Sequence, residues 1–312
     1  ATSVAETVNA LAGTTVVDLT SEPHEMDETL TPEETSSATV EYPMRVSFTS
    51  PDGSLYTWLD GTAAPTMLVS NDDVAECIIS PDGSLIAFSR YSEYEFLSLE
   101  VINSDGTNRR TLLSAAQAAA IPGPEDAVGA EPGQLGWIPG THILSMSVRH
   151  YFEGPGLFVN QNFFVLDADS GVLSTLMDTS NTTWQFVWSP DGSKVAVSNP
   201  TGIDIYDASG TMIAGSVVTH PFINTASEYA WTAYPLWAED SSSLIVRVPP
   251  QDPFFATGSD ANSTVWQVSV EDWSAEQLLS TPMLYNMQGD TGVSPDFSKL
   301  IYLNQTGIPT DN

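Results

Sequence analysis

Apolar and polar positions alternate along most of this chain in short runs, and one ten-residue form of the pattern recurs. It is clearest at Trp188 to Val197, WSPDGSKVAV, and can be laid without gaps on Ile79 to Phe88 (ISPDGSLIAF), Val293 to Tyr302 (VSPDFSKLIY), Trp237 to Val246 (WAEDSSSLIV) and Trp137 to Met146 (WIPGTHILSM). Each copy begins apolar, passes through a turn and leaves on a mostly apolar strand. Proline presets φ at the first turn position, aspartate accepts local backbone hydrogen bonds, and glycine takes the φ > 0 position that other residues resist, so the pattern predicts a tight β-hairpin.

A second alternating pair with its own turn follows each of the first four hairpins. These pairs are Leu97 to Leu113, Asn162 to Met177, Gly202 to Val217 and Ser263 to Leu279, and a fifth, Ser54 to Val69, precedes the first organising hairpin. Two hairpins make a four-stranded sheet, and a series of such sheets is the signature of a propeller. The organising hairpins start at 79, 137, 188, 237 and 293, spacings of 58, 51, 49 and 56 residues. The 20 residues from 293 onward and the 38 from 41 to 78 together make one more such interval. The expected fold is therefore all-β, a five-bladed β-propeller whose last blade is shared between the chain ends. Its first two strands would come from the C-terminal hairpin and its last two from Ser54 to Val69, which removes an open edge. Met44 to Phe48, MRVSF, reads as one more strand and gives that blade five claimants for four places.

Residues 1–40 are different material, rich in Thr, Ser, Glu and Pro, with one strand-like patch at Thr14 to Leu19. They hold too little apolar surface to fold alone. Two domains follow: a flexible acidic arm over 1–40 and the propeller over 41–312. The arm is a spacer, or its TTVVDLT adds as a strand to a neighbouring sheet, in cis or in trans.

WSPDGSKVAVS followed by IDIYDASG resembles the PD40 repeat of TolB-like β-propellers, a branch of the WD40-like superfamily, and the resemblance covers roughly residues 41–312. It implies six blades where the repeat count gives five, so a sixth would have to be degenerate. It also implies a protein-binding scaffold of the bacterial envelope. Related blades form the non-catalytic half of some serine peptidases.

Charge narrows the partners. Forty Asp and Glu against eight Lys and Arg give a net charge of −32, with Lys194 and Lys299 the two lysines. Such a surface repels phosphate backbones and anionic headgroups, so neither nucleic acid nor membrane insertion is expected; acidic balance of this kind also serves solubility. No apolar run reaches the length of a membrane span. The single cysteine, Cys77, lies in the apolar run VAECII and reads as a buried, inert thiol. Sequons at Asn181, Asn262 and Asn304 permit glycans on an exported chain, and a start at Ala1 fits a removed signal peptide or a trimmed chain. The expected location is extracellular or in the cell envelope.

Propeller geometry sorts the connections onto two faces. Turns between strands 1 and 2 and between strands 3 and 4 are short here: PDGS, SDGT, DSG, ASG, LDGT. The extra length falls in Ser114–Gly136, Arg149–Gln161, Val218–Leu236 and Pro249–Asn262, all on the opposite face. These insertions carry Tyr151, Phe152, Phe158, Phe222, Tyr229, Trp231, Tyr234, Phe254 and Phe255. Aromatics on long loops above a rigid scaffold suit protein or glycan recognition, although single rings of this kind also serve to pack loops down. Tyr151, Phe152, Tyr229, Trp231, Tyr234, Phe254 and Phe255 are the candidate binding residues.

Catalytic signals are few. There is no G-x-S-x-G elbow, and His24, His142, His150 and His220 show no metal-ligand spacing. A five-bladed glycosidase would set carboxylates on its innermost strands, which here read VAECII, QLGWI, WQFVW, YPLW and TGV. Glu76 is the one acid among them, and Glu131, Glu228, Asp72 and Asp290 lie on approaches to the channel. Asp167, Asp169 and Gly171 form D-x-D-x-G where a plain hairpin turn is expected. Asp82, Asp191 and Asp296 are repeat residues that cap turns, and Trp137, Trp188 and Trp237 share one repeat position that packs between blades. Non-enzymatic binding through the insertion-rich face follows, with no catalytic residue, metal or cofactor assigned. The alternatives are a surface-layer or filament subunit assembled through residues 1–40, and, below it, a carbohydrate-active enzyme.

Overall fold

A computed structural model describes residues 14–18, 44–93, 95–153, 158–177, 185–224, 230–250, 262–281, 292–294 and 297–303. Its sheets are antiparallel throughout. Strands β1 (Thr14–Asp18), β2 (Arg45–Thr49), β3 (Leu55–Leu59) and β4 (Thr66–Val69) come first in the chain. The first complete blade is β5 (Val74–Ile79), β6 (Leu85–Ser92), β7 (Glu95–Asn103) and β8 (Arg110–Ser114), and a short helix α1 (Ala115–Ala119) leads out of it. The second is β9 (Ala127–Trp137), β10 (Ile143–Phe152), β11 (Phe158–Asp167) and β12 (Leu173–Met177). The third is β13 (Gln185–Trp188), β14 (Lys194–Asn199), β15 (Gly202–Asp207) and β16 (Met212–Thr219). A two-stranded ribbon, β17 (Ile223–Asn224) with β18 (Ala230–Trp231), precedes the fourth blade, β19 (Tyr234–Trp237), β20 (Ser243–Val248), β21 (Ser263–Ser269) and β22 (Ala275–Thr281). Strands β23 (Gly292–Val293) and β24 (Lys299–Leu303) close the series.

The five organising hairpins share one register. Ile79 faces Ile86, Trp137 faces Leu144, Trp188 faces Val195, Trp237 faces Leu244 and Val293 faces Leu300, always seven residues apart. The turn chemistry repeats with it: the amides of Ser80, Ile138, Ser189, Ala238 and Ser294 each donate across the turn at 2.8–2.9 Å. Asp82 and Asp191 cap their turns by accepting from Ser80 and Ser189 hydroxyls and from Ser84 and Ser193 amides. These bonds outweigh burial and hold both carboxyls below the usual range, Asp191 at about 2. The left-handed position is Gly83 or Gly192 in the strong repeats, but Ser241 (φ 61) and Phe297 (φ 56) in the weaker ones. Asp296 lies outside the described residues.

Core side chains lie between successive sheets rather than in one central mass. Leu55, Val74, Ile86 and Phe88 fill the space between the β2–β4 sheet and the first blade. Leu99, Leu112, Met146 and Leu166 join the first blade to the second, Phe163, Phe186 and Trp188 the second to the third, and Ile203, Ile205, Leu244 and Val246 the third to the fourth. Ile245, Val265, Phe297 and Leu300 then pack the fourth blade on β23–β24. The repeat tryptophans sit at these joints: Trp137 Nε1 donates to the Ile78 carbonyl of the preceding blade at 3.3 Å, and Trp237 Nε1 to that of Val187 at 2.8 Å.

Chain closure uses shared strands with partners other than those expected. β24 does not pair with Ser54 to Val69; it pairs with β1, Val16 facing Ile301, in the sheet β1-β24-β23. β3 and β4 instead pair with β2, the surplus MRVSF strand, as β2-β3-β4. Five claimants for four places are thus resolved as two three-stranded sheets, with TTVVD recruited in cis. Though Ser50 to Leu55 spells SPDGSL, this turn points the other way. Gly53 accepts from the amides of Asp72 and Val74 on the link entering β5, while Arg45 at the start of β2 reaches the Ser104 carbonyl at 3.3 Å at the plain face. β2 therefore runs opposite to β5, as a second strand does.

Cys77 is a half-buried free thiol, and burial raises its pKa. Among the described residues no helix is long and apolar enough to cross a membrane.

Candidate functional site

Two of the four insertions are not loops in the structure. Arg149–Gln161 and the second half of Ser114–Gly136 extend the second blade, because β9, β10 and β11 run on as one antiparallel ribbon in which Arg149 faces Glu131 and Asn160, and Tyr151 faces Gly129 and Phe158. Irregular pairing between Met146 and Val148 and between Ser147 and Val148 marks bulges, which bend such a ribbon and let Pro132 stand opposite Val148 without breaking it. Gly129 is required for the fit: a β-carbon there would lie 2.4 Å from the Tyr151 ring. Gly123 plays the same part under His150, whose ring would be 2.2 Å from such an atom.

At the root of the ribbon a polar cluster is enclosed by rings. Glu131 is buried, and Arg149 Nη1 approaches its Oε1 at 3.3 Å. Tyr91, the partner of Phe96 in an edge-on contact at 5.6 Å, has its phenol near the Glu131 carboxyl. Burial raises the pKa of Glu131; Arg149 and Tyr91 oppose it, and the charge of Glu76 adds to it. The phenols of Tyr91 and Tyr151 are raised by burial first and by the Glu131 charge second. His150 is buried, its pKa lowered by that burial, and its Nε2 has no hydrogen-bond partner. A half-buried carboxyl–guanidinium pair beside two phenols can orient a polar ligand while the rings supply contact area.

The predicted residues distribute as follows. Tyr151 and Phe152 are half-buried on the ribbon, and Tyr234 is half-buried at the start of β19. Trp231 is in β18 with Ile223 as its register partner. Tyr229, Phe254 and Phe255 lie outside the described residues, and Phe222 is exposed. Of the acids picked out near the channel, Glu131 enters this cluster. Asp72 is held in a closed square with Arg90, Glu100 and Arg109, and Glu228 and Asp290 are outside the described residues. Sequence reasoning missed Tyr91 and Arg149, which have no motif around them; only the pairing of β9 with β10 brings Arg149 to Glu131.

On the plain face, D-x-D-x-G is a hairpin turn: Asp167 accepts from the amides of Asp169 and Ser170, and Asp169 bonds His142 at 3.1 Å. His142 also meets Asp82 of the neighbouring blade at 3.2 Å. Among the described residues no group of three His, Cys, Asp or Glu is placed to hold a metal ion.

No family model and no curated protein matches the chain. Among solved structures it is similar to an oligogalacturonate lyase in complex with manganese, with a TM-score of 0.50 and 14% identity over 76% of this chain and 63% of that one. It is also similar to a protein described as TolB from Agrobacterium tumefaciens, with a TM-score of 0.43 and 17% identity over 85% of this chain and 91% of that one. An acylaminoacyl peptidase gives a TM-score of 0.43 and 13% identity over 70% of this chain and 34% of that one. The likeness to the lyase is one of fold alone, and the succession of antiparallel sheets is that of a β-propeller. Two of these three carry enzyme names.

Proposed function

We propose that this propeller is a non-enzymatic binding module of the cell envelope or the extracellular space, and that it engages a protein or a glycan through its insertion-rich face. The observation that carries this reading is the ribbon of the second blade, which lifts Tyr151 beside the Arg149–Glu131 pair and carries Phe152 next to it along the strand. Aromatic anchors beside a half-buried polar pair suit the centre of a recognition surface. The −32 net charge favours a neutral or cationic partner over an anionic one. The test is capture of partners and glycans from the native cell surface by the intact chain and by Tyr151→Ala. Capture lost at unchanged melting temperature supports the reading; capture and stability lost together would assign Tyr151 to packing.

A second reading, self-assembly through residues 1–40, is favoured by the seat of β1 on β24, since a strand donated in cis is one that another copy could accept. Deleting residues 1–40 would then leave a folded but monomeric chain, and unchanged assembly would end that reading. A third, a carbohydrate-active enzyme, rests on the buried carboxyl of Glu131, and hydrolysis or cleavage of oligosaccharides lost in Glu131→Gln is its test.

A further inference from the structure

The joint between the first and second blades carries a surplus of negative charge where it opens towards the insertion-rich face. Glu131 on β9 stands between two half-buried phenols. Tyr91, on β6 of the first blade, feels its charge together with that of Glu76, and Tyr151, on β10 of the second, feels it together with that of Glu95. Glu76 and Glu95 are exposed and form no ion pair among the described residues. Arg149, 3.3 Å from Glu131, is the cation set against them, so three carboxylates stand against one guanidinium.

A buried hydroxyl points the same way. Ser89 is 2% exposed, and its Oγ has no hydrogen-bond partner. It faces Glu76 on β5 and Leu99 on β7, and register partners hold their side chains on one side of a sheet. Leu99 belongs to the core shared with the second blade, so Ser89 and Glu76 are turned towards the blade that carries Glu131. Tyr91 lies two residues beyond Ser89 along β6 and packs against the same core. Buried hydroxyls are seldom left unbonded, and this one offers an acceptor to a donor entering an acidic joint.

We infer that this joint receives a lysine or arginine side chain of a protein partner, with the charged head between Glu76 and Glu131 and the alkyl stem across the Tyr91 and Tyr151 rings. The inference rests on the loop-face reading above and narrows its partner from a protein or glycan to a protein with an exposed basic residue. Aromatic faces attract cations, more strongly where water is excluded, and the carboxylates on either side add their charge to that attraction. An ammonium brings three N–H donors, which serve both carboxylates and the Ser89 hydroxyl. A glycan hydroxyl would satisfy Ser89 but leave the surplus charge in place. A metal ion lacks a ligand set, since among the described residues no three His, Cys, Asp or Glu are placed to hold one. Anionic ligands meet the same charge as repulsion.

The test titrates the full chain calorimetrically with N-acetyl-trilysine amide and, separately, with N-acetyl-triglutamate amide. A net charge of −32 draws any cation to the surface, so the informative quantity is the difference between Glu76→Gln and Glu276→Gln. Each removes one exposed acid, the first at the joint and the second on β22, the outermost strand of the fourth blade. Trilysine is expected to bind about fivefold more weakly to Glu76→Gln, the loss of one exposed ion pair, and with unchanged affinity to Glu276→Gln, while triglutamate does not bind. Glu95→Gln repeats the comparison should Glu76→Gln fail to fold. Equal weakening in the joint and control variants, or no binding of trilysine, overturns the inference. Its failure is distinguishable from that of the loop-face reading. Native partner captured undiminished by Glu76→Gln but lost in Tyr151→Ala keeps the face and rejects the basic side chain, whereas capture kept in both variants rejects both.

Discussion

Trp188 donates its indole Nε1–H to the Ser145 hydroxyl at 2.8 Å, and Ser145 in turn donates to the Gly136 carbonyl at 2.9 Å. Gly136 stands just before Trp137, as Ile78 stands before Ile79 and Val187 before Trp188, so all three repeat tryptophans address the same carbonyl position of the preceding blade. Two do so directly and one through a serine. Ser145→Ala leaves a buried indole N–H without its partner and should cost about 1–3 kcal/mol. Trp188→Phe removes donor and ring volume together and should cost more. Chemical denaturation of both variants checks the order; a harmless Ser145→Ala would show that the relay contributes nothing.

Glycine matters unequally along the repeat. Gly192 and Gly140 both hold positive φ, 68° and 74°, but a β-carbon at Gly192 would lie 2.8 Å from the Pro139 carbonyl oxygen, whereas one at Gly140 meets nothing within 4 Å. Gly140→Ala should cost about 1–2 kcal/mol, the penalty of a left-handed alanine alone. Gly192→Ala adds a backbone clash between blades and should lower the melting temperature further. Equal losses would mean that the turns are free to separate.

The square of Asp72, Arg90, Glu100 and Arg109 is the densest ionic cluster described, with Arg109 also 5.5 Å from the Phe88 ring centroid. Glu100 is buried, accepts from Ser98 and both arginines, and has a lowered pKa because these bonds overcome its desolvation. Glu100→Gln leaves two arginines short of a carboxylate. Removing one member of a buried ionic group typically costs ~3–5 kcal/mol, and partial exposure of the arginines places the expectation near about 3. Urea titration at low and high salt measures it, and a loss that vanishes with salt would identify a merely superficial pair.

Histidines pull stability in opposite directions with pH. His220 is buried, its Nδ1–H donating to Pro221 O at 2.8 Å and its Nε2 accepting from the Ala233 amide at 3.3 Å, a neutral ring with both nitrogens used. Burial lowers its pKa, and the Pro221 bond only partly offsets this. The unfolded chain then binds the proton more readily. His220 contributes fully above the ordinary value of 6.5 and loses its contribution as pH falls through its folded pKa. For His142 desolvation is outweighed by the bonds to Asp82 and Asp169, and its pKa rises. Its contribution is complete below 6.5 and is lost as pH rises through its folded pKa. Melting curves from pH 5 to 9 should therefore show His142→Gln costing most on the acid side and His220→Gln costing most on the alkaline side. Parallel curves would refute both assignments.

The hairpins were legible because their information is local. SPDGS carries its own turn, capping carboxylate and φ > 0 residue, and a shared register follows wherever it stands. The face to which a turn points is not local, which is why Ser50 to Leu55 repeats the motif and yet lies at the opposite end of its sheet. Choice of partner is not local either. TTVVD alternates too briefly to specify β24 over β2, and the pairing rests on what the other strands leave vacant. The ribbon of the second blade shows in the sequence only as extra length, because the register of β9 against β10 shifts twice and the extra residues fall on β9 itself, among Pro132 and three glycines. Arg149 joins the candidate site through a cross-strand neighbour and Tyr91 from the neighbouring blade, neither through sequence neighbours.

Because each apolar core belongs to two adjacent sheets and to no others, the molecule behaves mechanically like a stack of plates, in which damage travels only as far as the next plate. Heating should peel the first and last sheets before the middle ones. Tyr151 and Glu131 ride on the second blade, which is cored on both sides, so the recognition surface should outlast the loss of either end.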